Sequence, residues 1–309
     1  MPAMAEHPQP SARARKLVRG AYDLHVHVAP DVPARRIDDV SLAHRCTKVG
    51  LAGFGLKSHY TSTAERAQIV SAAVTGVEAI GTITLNWAVG GMNALAVEIA
   101  AREGARIVWM PTVDSPAETA GRTEPKPGDK VPLWAKLQHE LRGLGFSVEA
   151  VEVTDDAGEL LPETRLVLQT IARHGLILAT AHLGRADTFA VVDGAVEEGV
   201  ERIVVTHPEF TCQNFSIEDQ VALADRGCVI ERCLTTPYSA KTTYEHVFDG
   251  VRAVGIERNY FSSDCGNPDY PPVEDGLAIW ADKLLEAGFD EDEIGEMVVA
   301  GSRRLVEAA

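Results

Sequence analysis

The sequence lacks any uninterrupted apolar run of about 18 residues, the length that a membrane-spanning helix needs. It also lacks an apolar segment near its start, so the basic stretch at residues 1–19 does not resemble a secretory signal. We interpret this stretch as a disordered basic tail. A membrane partner is therefore not expected.

Basic residues are in the minority: 29 Lys and Arg stand against 45 Asp and Glu, which gives a net charge of −16. Because nucleic-acid-binding proteins usually present a basic face, a nucleic-acid partner is not expected either. There are only five cysteines and no C-x-x-C pair, which argues against a disulfide framework or a cysteine zinc knot. This cysteine usage is typical of a protein of the reducing cytoplasm.

Strand-like runs alternate with amphipathic helical segments along most of the chain. Consecutive strands start about 26–30 residues apart, close to the length of one βαβ unit, except for one larger gap after the fourth strand. The predicted strands are Ala21–Val28, Leu51–Lys57, Val77–Leu85, Ala105–Met110, Leu176–Ala181, Arg202–Thr206, Cys228–Leu234 and Asn259–Ser263. The predicted helices include Asp38–Val49, Ala64–Val74, Asn93–Glu103, Asp187–Glu198, Ile217–Asp225 and Thr243–Val254.

Parallel strands with helices between them predict an α/β fold, a (β/α)₈ TIM barrel, as a single domain over residues 20–309. A doubly wound open sheet is the nearest rival, but it would favour G-x-G-x-x-G after the first strand, where this chain has His-Val-His. The gap after strand 4, at about residues 112–162, is predicted to hold an insertion. It contains the loop ETAGRTEPKPGDK, a short helix from Pro132 and a hairpin of Val148–Val153 with Glu159–Leu161. From Pro272 we expect helices packed outside the barrel.

Histidines and one aspartate fall where predicted strands end, and the carboxyl ends of the strands carry the active site of a TIM barrel. His25 and His27 are two residues apart on strand 1, so they face the same side and suit a divalent metal. His182 and His207 end strands 5 and 6, and Asp264 ends strand 8. Together these residues predict a metal site more strongly than any one of them does.

The order H-x-H, His, His, Asp over strands 1, 5, 6 and 8 resembles the amidohydrolase superfamily of metal-dependent hydrolases, across about residues 20–290. The strings DLHVHVAPD, LKSHY and VVTHPE resemble a branch of that superfamily known only as a domain of unknown function. The resemblance implies a barrel that binds one or two divalent ions, commonly zinc. It implies that His25, His27 and Asp264 bind the more buried ion, and that His182 and His207 bind a second ion or hold the substrate.

Such a site predicts a hydrolytic mechanism. A bound metal lowers the pKa of a water molecule to roughly 7 and polarises a carbonyl oxygen. Asp264 can accept the proton of that water and pass it to the leaving group. A histidine that does not bind metal, such as His207, can stabilise the oxyanion. We therefore predict hydrolysis of an amide, lactone, cyclic imide or ester bond in a small molecule.

The sequence departs from this family at strand 4, which usually supplies a Lys or Glu between two ions but here ends in VWMPT. Lys57 at the end of strand 2 is interpreted in three ways: as a carbamate bridge, as a charge that pairs with an anionic substrate, or as a structural lysine facing solvent. His59 is interpreted as a substrate contact or a further ligand, and Glu149 as a remote candidate bridge. On strand 7, Glu231 or Arg232 must face the interior; if Glu231 does, Lys57 or neighbours of Arg232 are its expected partners.

Other side chains near the predicted mouth have two interpretations each. Trp109, Asn86 and Trp87 either line a substrate pocket or simply pack at the rim of the barrel. Arg35 and Arg36, on the loop after strand 1, either clamp an anion or are solvated surface charges.

Three other functions compete with hydrolysis. The first is a decarboxylase or other lyase on the same metal site. The second is a phosphoesterase of a class that also opens with D-L-H-x-H but ends in D-x-H, where this chain has DCG. The third is a binding protein that has lost its chemistry, although none of the five predicted ligands is missing. The expected partner is a small-molecule substrate, and a homo-oligomer is compatible with the fold.

Overall fold

The computed structural model describes residues 7–120, 133–146 and 149–307. Eight parallel strands form one sheet in the order β1 to β8. They are β1 Tyr22–Val26, β2 Gly53–Leu56, β3 Glu78–Thr84, β4 Ala105–Trp109, β5 Ile177–Ala179, β6 Arg202–Val205, β7 Val229–Cys233 and β8 Asn259–Ser262. Each lies within a strand predicted from the sequence.

The sheet nearly closes between its first and last strands. The backbone N–H of Asp264 donates to the carbonyl of His25, and that of His27 donates to the carbonyl of Cys265, both over 2.8 Å. These bonds draw the end of β1 and the residues after β8 together. The predicted (β/α)₈ TIM barrel is confirmed.

Helices cover the outside of the barrel. They are α1 Ala12–Leu17, α2 Asp39–Val49, α3 Ala64–Ala73, α4 Ala94–Arg102, α5 Pro116–Ala120, α6 Leu133–Gly143, α7 Pro162–Arg173, α8 Arg185–Glu197, α9 Ile217–Asp225, α10 Thr235–Tyr238, α11 Tyr244–Val254, α12 Gly276–Glu286, α13 Glu291–Ile294 and α14 Gly301–Val306. The side chains of Asp38, Asn93 and Thr243 accept backbone N–H groups at the starts of α2, α4 and α11, which is why these helices begin there. The six predicted helices are confirmed.

The predicted disordered tail is wrong for the residues that the structure describes. Helix α1 and the residue that follows it pack on the barrel through buried Ala14 and Val18. The hydroxyl of Ser11 donates to Asp282 over 2.6 Å, and Arg15 pairs with Asp275 at 2.6 Å. A short apolar face with ionic contacts on both sides holds this basic segment in place. Residues 1–6 lie outside the described residues.

The insertion after β4 begins with α5 and α6, and the second of these corresponds to the helix expected from Pro132. Most of the predicted loop ETAGRTEPKPGDK lies outside the described residues, as does Val148. The predicted hairpin is present in a shorter form: Thr154 and Leu160 make one antiparallel bridge, and the backbone N–H groups of Asp155 and Leu161 donate to the carbonyls of Glu159 and Val153 over 2.9 and 3.1 Å. Thr154 also donates its hydroxyl to Asp187 of α8 over 2.7 Å, which ties the insertion to the outer wall.

The C-terminal segment is helical and lies outside the barrel, as predicted. Buried Trp280 of α12 donates its indole N–H to the carbonyl of Ser262 over 3.0 Å and packs edge-on against Phe261. The hydroxyl of Ser302 in α14 accepts the backbone N–H of Tyr22 at the start of β1. No helix within the described ranges combines the length and apolar character that membrane crossing requires.

Candidate metal centre

Three predicted ligands meet at the carboxyl end of the barrel. The Nε2 atoms of His25 and His27 each lie 3.2 Å from Oδ1 of Asp264. One ligand atom from each of the three residues lies within 4.8 Å of the other two, close enough to hold a metal ion. The closure between β1 and the residues after β8 creates this grouping, because it places Asp264 beside both imidazoles.

The backbone near Asp264 is unusual. Asp264 has a φ of 54° and His207 a φ of 25°, in a region that L-residues rarely adopt. Gly266 follows with a φ of 142°, and a Cβ there would overlap the carbonyl of His27. Strained backbone of this kind often marks a functional site. The strain places both side chains over the barrel mouth.

The histidine rings are oriented through their Nδ1 atoms. Nδ1 of His25 lies 3.1 Å from the Glu231 carboxylate, and Nδ1 of His27 lies 3.1 Å from the Lys57 carbonyl. Nδ1 of His207 lies 2.7 Å from Oε1 of Gln213, whose amide nitrogen donates to the carbonyl of Thr206. An acceptor beside Nδ1 favours a proton on that nitrogen, which leaves a lone pair on Nε2 for a ligand.

Charges in this cluster shift each other's pKa values. Burial raises the pKa of Asp264, but His25, the hydrogen bond from His27 and His207 outweigh it and hold the pKa well below its usual value. Burial and the nearby Arg35 lower the pKa of His27 to about 3. His27 is therefore neutral, and its Nε2 donates to the Asp264 carboxylate. A cation bound between the two would take the place of this proton, which Nδ1 can carry instead beside the Lys57 carbonyl.

Glu231 faces the interior and is fully buried. Its expected partners were wrong: the carboxylate instead contacts His25 and accepts hydrogen bonds from Tyr260 over 2.6 Å and Ser262 over 2.7 Å. Burial raises the pKa of Glu231, but these three contacts together lower it below the usual value. Glu231 is thus an ionised group that orients His25.

Arg232, the next residue on β7, points to the opposite face of the sheet. It pairs with buried Glu209 and also contacts Gln220 and Asn259. This ion pair lies on the outer face of β7, against α9, with Glu209 in the loop after β6.

The solvent-facing interpretation of Lys57 is wrong. The side chain is 3% exposed and points inward, with Nζ 3.0 Å from Nε2 of His25 and 4.2 Å from the centre of the Trp109 ring. Burial lowers the pKa of Lys57, while Asp264 and Glu231 oppose that shift. The carbamate and anion-binding interpretations both fit this position. Trp109 forms the surface below the ammonium.

His59 stands beside His27, with ring centres 4.9 Å apart, and its Nδ1 lies 2.9 Å from the Thr112 hydroxyl. Asn86 donates to the His59 carbonyl over 3.0 Å and to Thr112 over 2.8 Å, so it braces this part of the wall. Trp87 is nearly half exposed and donates its indole N–H to the carbonyl of Glu149. Among the described residues, Glu149 belongs to none of the metal-competent groups.

His182 and His207 have ring centres 4.9 Å apart, and His207 lies 5.9 Å from His25. The four predicted metal-binding histidines therefore form one chain across the mouth, since His27 lies 5.6 Å beyond His25. However, the residues grouped with His182 within ligand distance are Glu118 and Cys212, and His207 is in none of the metal-competent groups among the described residues. Nδ1 of His182 lies 2.7 Å from Oε1 of Glu118.

The two arginines after β1 have different roles. Arg35 is paired with Asp31 at 2.6 Å, its side chain is 9% exposed, and its Nη2 lies 3.3 Å from Nδ1 of His27. The solvated interpretation is therefore wrong for Arg35. Arg36 donates to the backbone carbonyls of Pro268 and Tyr270, so it fastens two loops together.

Several residues of the site were not found from the sequence. The Thr235 hydroxyl donates to Oδ2 of Asp264 over 2.8 Å. Lys241 places Nζ 4.0 Å from the centre of the Phe210 ring, near the mouth. They lie on loops or short helices, where no strand periodicity indicates which way a side chain points; the same holds for Glu118, Cys212 and Gln213.

The sequence and the fold were compared with known proteins. A family model described as "Family of unknown function (DUF6282)" matches residues 20–231. No curated protein matches the sequence.

Solved structures share the fold at low identity. An amidohydrolase from Pseudomonas aeruginosa is 13% identical with a TM-score of 0.59, over 95% of this chain and 98% of that chain. The organophosphorus hydrolase from Deinococcus radiodurans is 15% identical with a TM-score of 0.54, over 94% and 93%. A β-aspartyl dipeptidase from Fervidobacterium islandicum is 15% identical with a TM-score of 0.56, over 93% and 72%. These structures share the (β/α)₈ barrel fold with this chain.

Proposed function

Because the chain belongs to the DUF6282 family and shares the amidohydrolase fold, we propose that it is a metal-dependent hydrolase of a small anionic molecule. The observation that carries the proposal is the convergence of His25, His27 and Asp264, with both Nε2 atoms 3.2 Å from one carboxylate oxygen. Fold alone does not define a reaction, so the argument depends on this site.

The donor set fits a divalent ion. Two imidazole nitrogens and a carboxylate oxygen are ligands that zinc accepts in catalytic sites. Glu231 and the Lys57 carbonyl hold the opposite ring nitrogens, as outer partners of metal-binding histidines do. We propose zinc at this position, with His25, His27 and Asp264 as its ligands.

When bound, the ion supplies Lewis-acid polarisation of the scissile bond and acidifies a water molecule. Asp264 accepts the proton of the attacking water at the carboxylate and later donates it to the leaving group. The Thr235 hydroxyl holds Oδ2 of Asp264, which directs Oδ1 towards the histidines. Because Gln213 keeps the proton on Nδ1 of His207, the Nε2 atom of His207 acts as a ligand or proton acceptor and not as an oxyanion donor.

Three cationic side chains favour an anionic substrate. Lys57 is buried against Trp109, and Arg35 borders His27. Burial lowers the pKa of Lys241, but Asp264 and Glu118 act to raise it, which places its ammonium within their electrostatic reach. A carboxylate or phosphate group would pair with these side chains while the scissile bond lies over Asp264. Amide, lactone, cyclic imide and ester bonds remain the candidate targets.

Decarboxylation is the second candidate. The specific observation that favours it is the position of Lys57, whose ammonium lies 3.0 Å from Nε2 of His25. A substrate carboxylate held there would lie directly beside the metal, as a lyase requires.

The proposal is tested by chelation and restoration. A panel of carboxylated amides, lactones, cyclic imides and esters is assayed before chelation, after it and after zinc is returned, with neutral analogues as controls. We expect hydrolysis of an anionic member, loss on chelation and recovery with zinc. Hydrolysis that survives complete metal removal would contradict the proposal, whereas metal-dependent release of CO₂ without hydrolysis would favour the lyase.

Lys57→Met separates the two remaining roles of Lys57. If Lys57 pairs with the substrate anion, the variant raises KM for the anionic substrate and leaves that of a neutral analogue unchanged. If Lys57 carries a carbamate, wild-type protein equilibrated with labelled bicarbonate shows a carbamate carbon resonance that the variant lacks.

A further inference from the structure

Strand β4 supplies no acid, but the chain that follows it does. Glu118 lies on α5, and its carboxylate returns to the mouth, with Oε1 2.7 Å from Nδ1 of His182. The side chain of Glu118 is 10% exposed, so this contact is shielded from bulk water. An acid from the insertion thus occupies the part of the mouth where the superfamily resemblance led us to expect one from β4.

Hydrogen bonds hold the segment that carries Glu118 in place. The Ser115 hydroxyl donates to the carbonyl of His182 over 2.9 Å and accepts the backbone N–H of Glu118 over 3.2 Å. In α6, Gln138 donates to the carbonyl of Val113 over 3.0 Å, which secures the segment before α5. These bonds tie the insertion to the end of β5.

The loop after β6 brings the third side chain. Its turn is closed by hydrogen bonds from the backbone N–H groups of Phe210 and Gln213. The Phe210 ring lies 4.9 Å from that of His182 and 4.8 Å from that of His207. Cys212, between Phe210 and Gln213, is partly buried and comes within ligand distance of both Glu118 and His182.

We propose that Glu118, His182 and Cys212 form a second divalent-cation site beside that of His25, His27 and Asp264. One ligand atom from each of the three residues lies within 4.8 Å of the other two. A set of carboxylate oxygen, imidazole nitrogen and thiolate sulfur suits zinc, and three protein ligands leave a fourth position open. This second site deepens the proposed function. It rests on that proposal in one respect, the binding of a first ion by His25, His27 and Asp264.

This assignment changes the roles implied by the resemblance, in which His182 and His207 share the second ion. Here the second ion takes one strand-end histidine, one ligand from helix α5 and one from the loop after β6. His207 lies between the two sites, with its ring 5.9 Å from that of His25 and 4.9 Å from that of His182. In this assignment, His207 contacts the substrate or serves as an additional ligand of one of the two sites.

Cobalt substitution reads this site directly, because a thiolate ligand gives Co²⁺ an intense near-ultraviolet charge-transfer band that nitrogen and oxygen ligands do not. Metal-free protein without a His tag is titrated with Co²⁺, and bound metal and absorption are recorded together. Wild-type protein is expected to bind a second equivalent and to show the band. Cys212→Ala and Cys212→Ser should lose both the band and the second equivalent.

Cys233→Ala is the matched control, since Cys233 is a buried thiol grouped with His25 and Glu231. It should keep the band, as should the His25→Ala/His27→Ala double variant. Loss of the band in Cys233→Ala together with its survival in Cys212→Ala would overturn the proposal. So would a wild-type protein that binds Co²⁺ without the band.

Glu118→Gln distinguishes a ligand from a residue that only positions His182. If Glu118, His182 and Cys212 bind one ion, Glu118→Gln and Cys212→Ala should lose the same equivalent. If Glu118→Gln alone loses it, Glu118 acts through His182 and the proposal is wrong. Circular dichroism of each variant excludes unfolding. A band without hydrolysis would contradict the proposed function alone, and metal-dependent hydrolysis without the band would contradict the second site alone.

Discussion

On one side of the barrel mouth, the residues of the candidate metal centre stand on strands or directly after them: His25 and His27 at β1, their partner Glu231 on β7 and Asp264 after β8. We call this the β1–β8 side. On the other, which we call the insertion side, Glu118 comes from the short helix α5 and Cys212 from the loop after β6, and only His182 stands at a strand end. Both sides bring ligand atoms within 4.8 Å of one another, by different means.

The difference concerns what holds each ligand in place. On the β1–β8 side, the closure of the sheet and the buried acceptors Glu231 and the Lys57 carbonyl orient the rings. On the insertion side, the same role falls to Ser115 and the hydrogen bonds of two surface loops. In the proposed arrangement, the first ion is held by residues of the rigid sheet, while the insertion adds a ligand from outside it.

The largest expected effect is on the β1–β8 side. Asp264→Asn should reduce hydrolysis about 10²- to 10⁴-fold, because it removes the carboxylate that carries the proton. Steady-state kinetics with the substrate identified by the panel measure this, and circular dichroism should be unchanged. An Asp264→Asn variant with wild-type turnover would remove Asp264 from the mechanism, and a larger loss in Glu118→Gln would reverse the ranking of the two sides.

The next effect tests whether the wall of the barrel can be weakened without touching the site. Glu209→Gln leaves the guanidinium of Arg232 without its carboxylate partner in a buried environment. We expect a loss of about 3–5 kcal/mol in the free energy of unfolding, measured by denaturant titration. Metal affinity at the His25, His27 and Asp264 site of the folded protein should stay the same; a change in it would mean that the two faces of β7 are coupled.

Glu231→Gln should lower metal affinity, which Glu209→Gln should leave unchanged. The substitution keeps the shape of the side chain and its capacity to accept from Tyr260 and Ser262, but removes the charge that orients His25. We expect metal affinity at the first site to fall about 10- to 100-fold, as is usual for an outer partner of a ligand histidine. Competition with a chelating dye measures it, with Glu209→Gln as control. An unchanged affinity would show that Glu231 serves packing alone.

Much of the fold follows from the sequence because the barrel imposes two regular patterns on it: the alternation of side chains along each strand and the even spacing between strands. Strand β1 shows this most clearly: its i and i+2 histidines are adjacent in space, as the pleat requires. The helix at α1 escaped prediction because its contacts, which include Asp275 and Asp282, lie far away along the chain.

The candidate site, too, could be predicted from the sequence only in part. The five predicted ligands could be placed at one end of the barrel because parallel strands end on one edge, whereas the grouping of His25, His27 and Asp264 came from the family resemblance. The contact of Glu118 with His182 could not, since it depends on how α5 folds back over the mouth. The partners of Glu231 were also missed, because pattern shows that a side chain faces inward but not which hydroxyl it meets.

Metal content tests the central claim most directly. Wild-type protein and the His25→Ala/His27→Ala double variant, both purified without a His tag or added metal, are measured by inductively coupled plasma mass spectrometry after equilibration with zinc. The account predicts that the double variant loses one equivalent relative to wild type while it keeps its circular dichroism spectrum. An unchanged metal-to-protein ratio in the folded double variant would contradict the assignment of the candidate metal centre.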